Sequence, residues 1–221
     1  MSPVMRWLLD LLYPPKCMLC GRLMESSEQS CCGRCGHDLP EYDGSPPKVR
    51  FFESAVAPFF YEGMIRDAIL RFKFRGLSGY GEQFARWMAV WVRDKLEGKY
   101  ELISWVPCSR ARRWTRGFDQ AEILAAALGR ELGVPVVRTL RKKRNNPKQS
   151  TRPDAASRRA NVLGVYEAYQ PERFSGKQIL LVDDVLTTGA TLSECGKVLR
   201  MAGSGDLVCA VIAASRRQSK E

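Results

Sequence analysis

Residues 179–192 read Ile-Leu-Leu-Val-Asp-Asp-Val-Leu-Thr-Thr-Gly-Ala-Thr-Leu, and no other segment constrains the chain so tightly. Four apolar residues in a row, Ile179 to Val182, are too short for a helix and suit a central parallel strand covered on both faces. The pattern predicts that this strand ends at the adjacent carboxylates Asp183 and Asp184. The chain then turns through Thr187, Thr188, Gly189 and Ala190, and a helical pattern resumes after Thr191, marked by Leu192, Val198 and Leu199.

Gly189 permits close backbone approach, so a run of N–H groups can point into one concavity at a helix N-terminus. Three threonine hydroxyls add donors, and the product is a phosphate cradle. Val185, Leu186, Thr187, Thr188, Gly189, Ala190 and Thr191 are its candidate residues. Asp183 and Asp184 cannot bind phosphate; they suit ribose hydroxyls, or Mg²⁺ held through water. Phosphoribosyl pyrophosphate (PRPP) offers both a phosphate and a sugar diol. A buried strand and a Thr-capped helix that bind nothing would leave the paired acids without a purpose.

The 221 residues accommodate one domain of ordinary size and a small module, and 45% apolar content is enough for a core. Thirty-five basic against 24 acidic residues give a formal charge of +11, which favours anionic partners: phosphorylated small molecules, nucleic acid, or both. The segment from Trp7 to Tyr13 is apolar but short, interrupted by Asp10 and followed by Pro14 and Pro15. It reads as an amphipathic helix packed on the body, neither a membrane span nor a signal peptide. A cytoplasmic protein without membrane insertion is expected, in a compartment where structural disulfides are disfavoured.

Five of the eight cysteines lie between positions 17 and 35. Cys17-Met-Leu-Cys20 and Cys32-Gly-Arg-Cys35 can each turn two thiolates onto one ion, and two such pairs complete a closed, structural zinc site. Cys31 is left over, and His37 is expected at the surface. The first 45 residues form this module, and 51–217 form the body, with the Gly/Ser/Pro-containing stretch Glu41 to Arg50 as linker.

In the body, Phe51 to Tyr61 reads as a strand region and Gly63 to Phe74 as a helix. A further helix from about Glu82 to Leu96 carries Phe84, Trp87, Met88 and Trp91 at core spacing. Glu101 to Pro107 is a second strand ending in a charged loop, with Arg110, Arg112, Arg113 and Arg116 ahead of a helix from Phe118 to about Leu132. Strand, cationic loop and helix N-terminus make a second anion site. Val134 to Val137 reads as a short strand, Arg138 to about Asn161 as a mobile basic loop of the kind that serves as a lid, and Leu207 to Ala213 as the last strand.

The two Cys-x-x-Cys pairs, Lys73-Phe74-Arg75-Gly76, Arg116-Gly117-Phe118-Asp119-Gln120, Pro147 to Gln149, Arg158 to Asn161 and above all Val182 to Thr191 resemble the ComF family over almost the whole chain. Val182 to Thr191 resembles the PRPP motif of type I phosphoribosyltransferases. Asp119 departs from the pattern, since the family usually has asparagine there. The resemblance implies an α/β fold of the type I phosphoribosyltransferase kind, a mostly parallel open sheet flanked by helices with the PRPP motif at the strands' carboxyl ends. It implies a bacterial protein linked to DNA uptake in natural competence, with single-stranded DNA and the helicase and uptake proteins of competence as partners.

On this reading the 186–191 loop holds the 5′-phosphate and Asp183 and Asp184, the candidate catalytic pair, contact the ribose 2′- and 3′-hydroxyls. Mg²⁺ bridges the pyrophosphate, and Arg112 and Arg116 offset the leaving group's charge. The rival reading is a non-catalytic DNA-binding factor, in which arginines interleaved with Trp114 and Phe118 stack bases. The acceptor is not identifiable from the sequence.

Overall fold

The structure is a computed structural model and describes residue 5 and residues 14–25, 30–42, 48–74, 79–143 and 164–216. The elements, in chain order, are α1 (Gly33–His37), β1 (Ser54–Val56), β2 (Phe59–Phe60), α2 (Gly63–Phe74), α3 (Gly79–Leu96) and β3 (Leu102–Trp105). Then come α4 (Arg110–Arg116), α5 (Gln120–Leu132), β4 (Leu140–Lys142), β5 (Tyr166–Ala168), β6 (Ile179–Leu186), α6 (Ala190–Met201) and β7 (Leu207–Ala214).

Five strands form an all-parallel sheet in the order β1–β7–β6–β3, with β2 continuing beside β7. Alternation along β6 assigns its side chains to two cores. Leu180 and Val182 pack with Phe72, Phe84 and Leu124 under α2, α3 and α5. Ile179 and Leu181 pack with Leu192, Cys195 and Leu199 of α6 on the other face. Each fully buried Phe, Leu or Ile contributes roughly 1.5–3 kcal/mol. The helix after β3 thus covers one face and the helix after β6 the other. Their first turns diverge at the carboxyl ends of neighbouring strands, the crevice where open α/β sheets take ligands.

Four expectations change. First, β6 does not stop at the acids: it runs through both carboxylates, pairing Asp183 with Val211 and Leu186 with Ala214. Second, Val134 to Val137 is reduced to one parallel bridge, Ile103 to Val136, flanked by Ile103 N donating to Pro135 O and Val137 N donating to Ile103 O. Here α5 comes so close that a Cβ on Gly129 would lie 2.3 Å from Val136 Cγ2. Third, the start of the basic loop is the strand β4, antiparallel to β5. The remainder of the expected lid, 144 to about 161, lies outside the described residues, as does the expected helix Trp7 to Tyr13. Fourth, the first part of the linker is ordered against the body: Glu41 bridges Phe59, and the Tyr42 ring lies 4.4 Å from that of Phe60. Among the described residues no helix is long and apolar enough to cross a membrane.

Candidate functional site

A cavity of about 300 Å³ opens at the carboxyl ends of β3 and β6. Its floor and walls bring together Asp183, Asp184, Val185 and Thr191 from the β6–α6 connection, and Arg112, Arg116 and Asp119 from the β3–α5 connection. Residues 186–190, assigned with them from the sequence, are not among the residues that line it. Leu186 is buried, whereas Thr187 and Thr188 are exposed.

The backbone of residues 186–190 turns from β6 into α6. Gly189 caps α6 in the left-handed region, at φ 72°, which an L side chain adopts only with strain. The turn leaves the first amides of α6 without intrahelical acceptors. Ala190 N donates to Thr188 Oγ1 at 3.4 Å, a long contact. Among the described residues no protein oxygen accepts from the amides of Thr187, Thr188, Gly189 or Thr191.

The two carboxylates leave the strand on opposite faces, as adjacent strand residues must. Asp184 Oδ2 meets Lys73 Nζ at 2.7 Å, both side chains about one-sixth exposed. Lys73 lies in the last turn of α2, and it lines the cavity itself. Asp183 accepts from the Asp184 amide at 2.8 Å and sits on the α6 side of the strand, in the field of Lys142 and the Cys195 thiol. Burial, reinforced by the neighbouring Asp184 carboxylate, pushes Asp183 well above the usual carboxylate range. The pair is therefore not two equivalent acids: one is held by a lysine, the other favours its proton.

The arginine segment, expected as a loop, is the seven-residue helix α4. Ser109 Oγ accepts from Arg112 N at its start and Gly117, at φ 80°, ends it. Its face turned to the cavity carries Arg112 and Arg116. Arg116 is half-buried, donates to Gln120 Oε1 at 2.8 Å and lies over the Phe74 ring at 4.9 Å. Burial, then Arg112, lowers its pKa from the arginine norm. The Asp119 carboxylate is engaged within the protein. It accepts from Cys108 N at 2.8 Å and Ala121 N at 3.2 Å, tying the β3 loop to the first turn of α5. Phe118 is partly buried and packs beside Phe72, ring centroids 5.9 Å apart. Trp114 is 93% exposed.

The hairpin β4–β5 supplies the opposite wall through Lys142, Val165 and Tyr166. Strand alternation splits the basic run: Arg141 and Lys143 face outward and share Glu167, while Lys142 turns into the cavity with its ammonium 5.2 Å from the Tyr166 ring centroid. Lys73, Lys142, Tyr166 and Gln120 are site residues that sequence reading did not assign.

Apart from this cavity, the sulfurs of Cys17, Cys20, Cys32 and Cys35 lie within 4.8 Å of one another. Cys32 N donates to Cys17 Sγ at 3.4 Å, as expected of an amide supporting a thiolate ligand. This donor set suits tetrahedral zinc. Cys31 lies outside the cluster, and His37 is a surface side chain beside Asp38. The cluster is joined to the body. Arg71 donates to the carbonyls of Met18 and Leu19, and Cys17, Met18, Leu19 and Cys35 are buried in the α2–α3–α5 core.

Comparison with known proteins agrees with both halves of this description. Residues 115–221 match the phosphoribosyl transferase domain, and residues 8–47 match the double zinc ribbon domain. Competence protein F of Haemophilus influenzae is 30% identical over 194 residues, covering 86% of this chain and 80% of that protein. Competence protein ComFC of Bacillus subtilis is 30% identical over 202 residues, covering 86% and 81%. A solved structure, the adenine phosphoribosyltransferase of Thermoanaerobacter pseudethanolicus, is 16% identical with a TM-score of 0.39, over 76% of this chain and 95% of that one. With a parallel α/β sheet, a four-cysteine cluster ahead of it and this level of identity over most of two competence proteins, the chain belongs to the ComF/ComFC competence protein family.

Proposed function

We propose that the cavity binds PRPP and that the protein is a phosphoribosyltransferase-type member of its family acting in DNA uptake. The observation that carries the reading is the closeness in the β6–α6 connection of the amides of Thr187, Thr188, Gly189 and Thr191, which have no protein acceptor among the described residues, to the Asp183–Asp184 pair. The amides and the threonine hydroxyls would take the 5′-phosphate. Asp184, paired with Lys73, would accept hydrogen bonds from the ribose hydroxyls, with Asp183 alongside it. Arg112 and Arg116 would face the pyrophosphate as the C1 bond breaks, where stabilising developing charge gives the most rate. Mg²⁺ arriving with PRPP would lower the charge of the pyrophosphate. Cys17, Cys20, Cys32 and Cys35 would hold one zinc ion, which at a closed four-sulfur site supplies structure and no open coordination position.

A second reading rests on Trp114, exposed in the middle of an arginine helix. Single-stranded DNA could stack there while its phosphates meet Arg110 and Arg113, with the cavity serving as a sensor. Calorimetry separates the two. PRPP should bind the wild type and lose at least tenfold in affinity with Asp183→Asn plus Asp184→Asn, whereas oligonucleotide binding should fall steeply with salt and with Trp114→Ala. An unchanged PRPP affinity in the double variant contradicts the assigned pocket.

A further inference from the structure

The last turn of α2 is held from two sides. Toward the cysteine module, Arg71 donates to Met18 O at 2.9 Å and to Leu19 O at 2.6 Å. Those carbonyls belong to the residues between Cys17 and Cys20, so the turn that brings these two sulfurs together also sets where the guanidinium is held. Toward the cavity, Lys73 Nζ meets Asp184 Oδ2 at 2.7 Å, Lys73 O accepts from Gln120 Nε2 at 3.4 Å, and the Phe74 ring lies under Arg116. Residues two apart on a helix point about 200° away from each other, so Arg71 and Lys73 reach opposite sides of one turn. Phe72, between them, is fully buried and shares its core with Cys17, Met18, Leu19 and Cys35. A close-packed core transmits a shift of this turn rather than absorbing it. A second tie, from Ser30 Oγ to Gln83 Oε1 of α3 at 2.5 Å, holds the module to the body elsewhere. Among the described residues, Arg71 is the polar link from the module into α2.

We infer that Arg71 is a positioning residue through which the cysteine module governs the ligand site. It holds the last turn of α2, and with it Lys73 against Asp184, at the place that the Cys17–Cys20 turn dictates. The inference goes beyond the PRPP reading, because Arg71 and the cysteines do not line the cavity, and only its affinity measurement rests on that reading. A merely structural Arg71 would support two carbonyls, and its loss would be felt in stability alone. A positioning Arg71 acts through Lys73, so its loss is felt at Asp184 and vanishes once Lys73 is gone.

The experiment compares the full chain as wild type, Arg71→Met, Arg71→Lys, Lys73→Met and the double variant Arg71→Met plus Lys73→Met. In ligand-free ¹⁵N-labelled protein, the amides of Asp183, Asp184 and Gln120 should shift in Arg71→Met while metal analysis still finds the wild-type zinc content. Calorimetry with PRPP should show a loss of roughly tenfold in Arg71→Met, largely recovered in Arg71→Lys, which keeps a donor for the carbonyls. In the Lys73→Met background, Arg71→Met should change the affinity by less than about twofold. Should Arg71→Met shed its zinc, Arg71→Lys is read in its place, with smaller shifts of the same amides expected. Amides of Asp183, Asp184 and Gln120 that stay unmoved in the zinc-holding variant overturn the inference, and so does an Arg71→Met loss of equal size with and without Lys73. A wild type that takes no PRPP, while those amides still move in Arg71→Met, supports the coupling and counts against the PRPP reading alone.

Discussion

Replacing Asp119 by alanine should damage the fold before it damages the chemistry. The carboxylate accepts from two amides, Cys108 N and Ala121 N, and is 4% exposed. Losing the N-cap of α5 costs about 1 kcal/mol. Leaving the Cys108 amide without its acceptor costs about 1–3 kcal/mol more. A total of about 2–4 kcal/mol corresponds, at this chain length, to a fall in Tm on the order of 10 °C. Asp119→Asn keeps one oxygen and should fall by about half as much. It also removes a negative charge from the cavity wall, so its affinity for PRPP should rise, by roughly fivefold for a gain of about 1 kcal/mol. Urea unfolding and PRPP calorimetry on the three proteins measure both effects. An Asp119→Ala protein that unfolds at the wild-type midpoint, or an Asp119→Asn protein that binds PRPP more weakly, would refute the reasoning.

Asp183→Asn should stabilise the free protein at pH 8 while weakening ligand binding. Burial and Asp184 raise the folded-state pKa of Asp183, so the native state holds its proton more tightly than the unfolded chain. This group's contribution is complete below the ordinary carboxylate range and is lost as pH rises through the raised value. The Tm advantage of the variant should therefore shrink from pH 8 toward pH 5, and an advantage that does not vary with pH contradicts the assignment. Cys17→Ser plus Cys20→Ser should release one zinc per chain, read by metal analysis, and should lower the Tm of the body as well, because Met18 and Leu19 share its core and receive Arg71. A full metal content, or an unchanged melting curve, would contradict this.

What could be read from the sequence was local. The strand, glycine turn and helix around Asp183 to Thr191 lie within one short stretch, and the spacing of the cysteines carries the geometry of their cluster. What escaped depends on partners distant in sequence. Lys73 and Asp184 are 111 positions apart, and nothing around Lys73 tells its ion pair from a solvated lysine. Lys142 looked like one charge in a basic run. Only pairing with β5 fixes which of Arg141, Lys142 and Lys143 turns inward. The helix α4 has no buried residue, so an apolar period had nothing to detect, although Ser109 and Gly117 are the boundary signals that could have found it. The early end assigned to β6 has a related cause. Charges suggested a terminus, whereas β7, buried along its whole length, pairs past them.

The central claim is that main-chain amides at the start of α6 bind the ligand's phosphate. Amide chemical shifts of ¹⁵N-labelled protein titrated with PRPP test it directly. The account predicts the largest changes at Thr187, Thr188, Gly189 and Thr191, with much smaller ones when Gly189→Ala strains the turn. Saturable PRPP binding that leaves those four amides unmoved would contradict it.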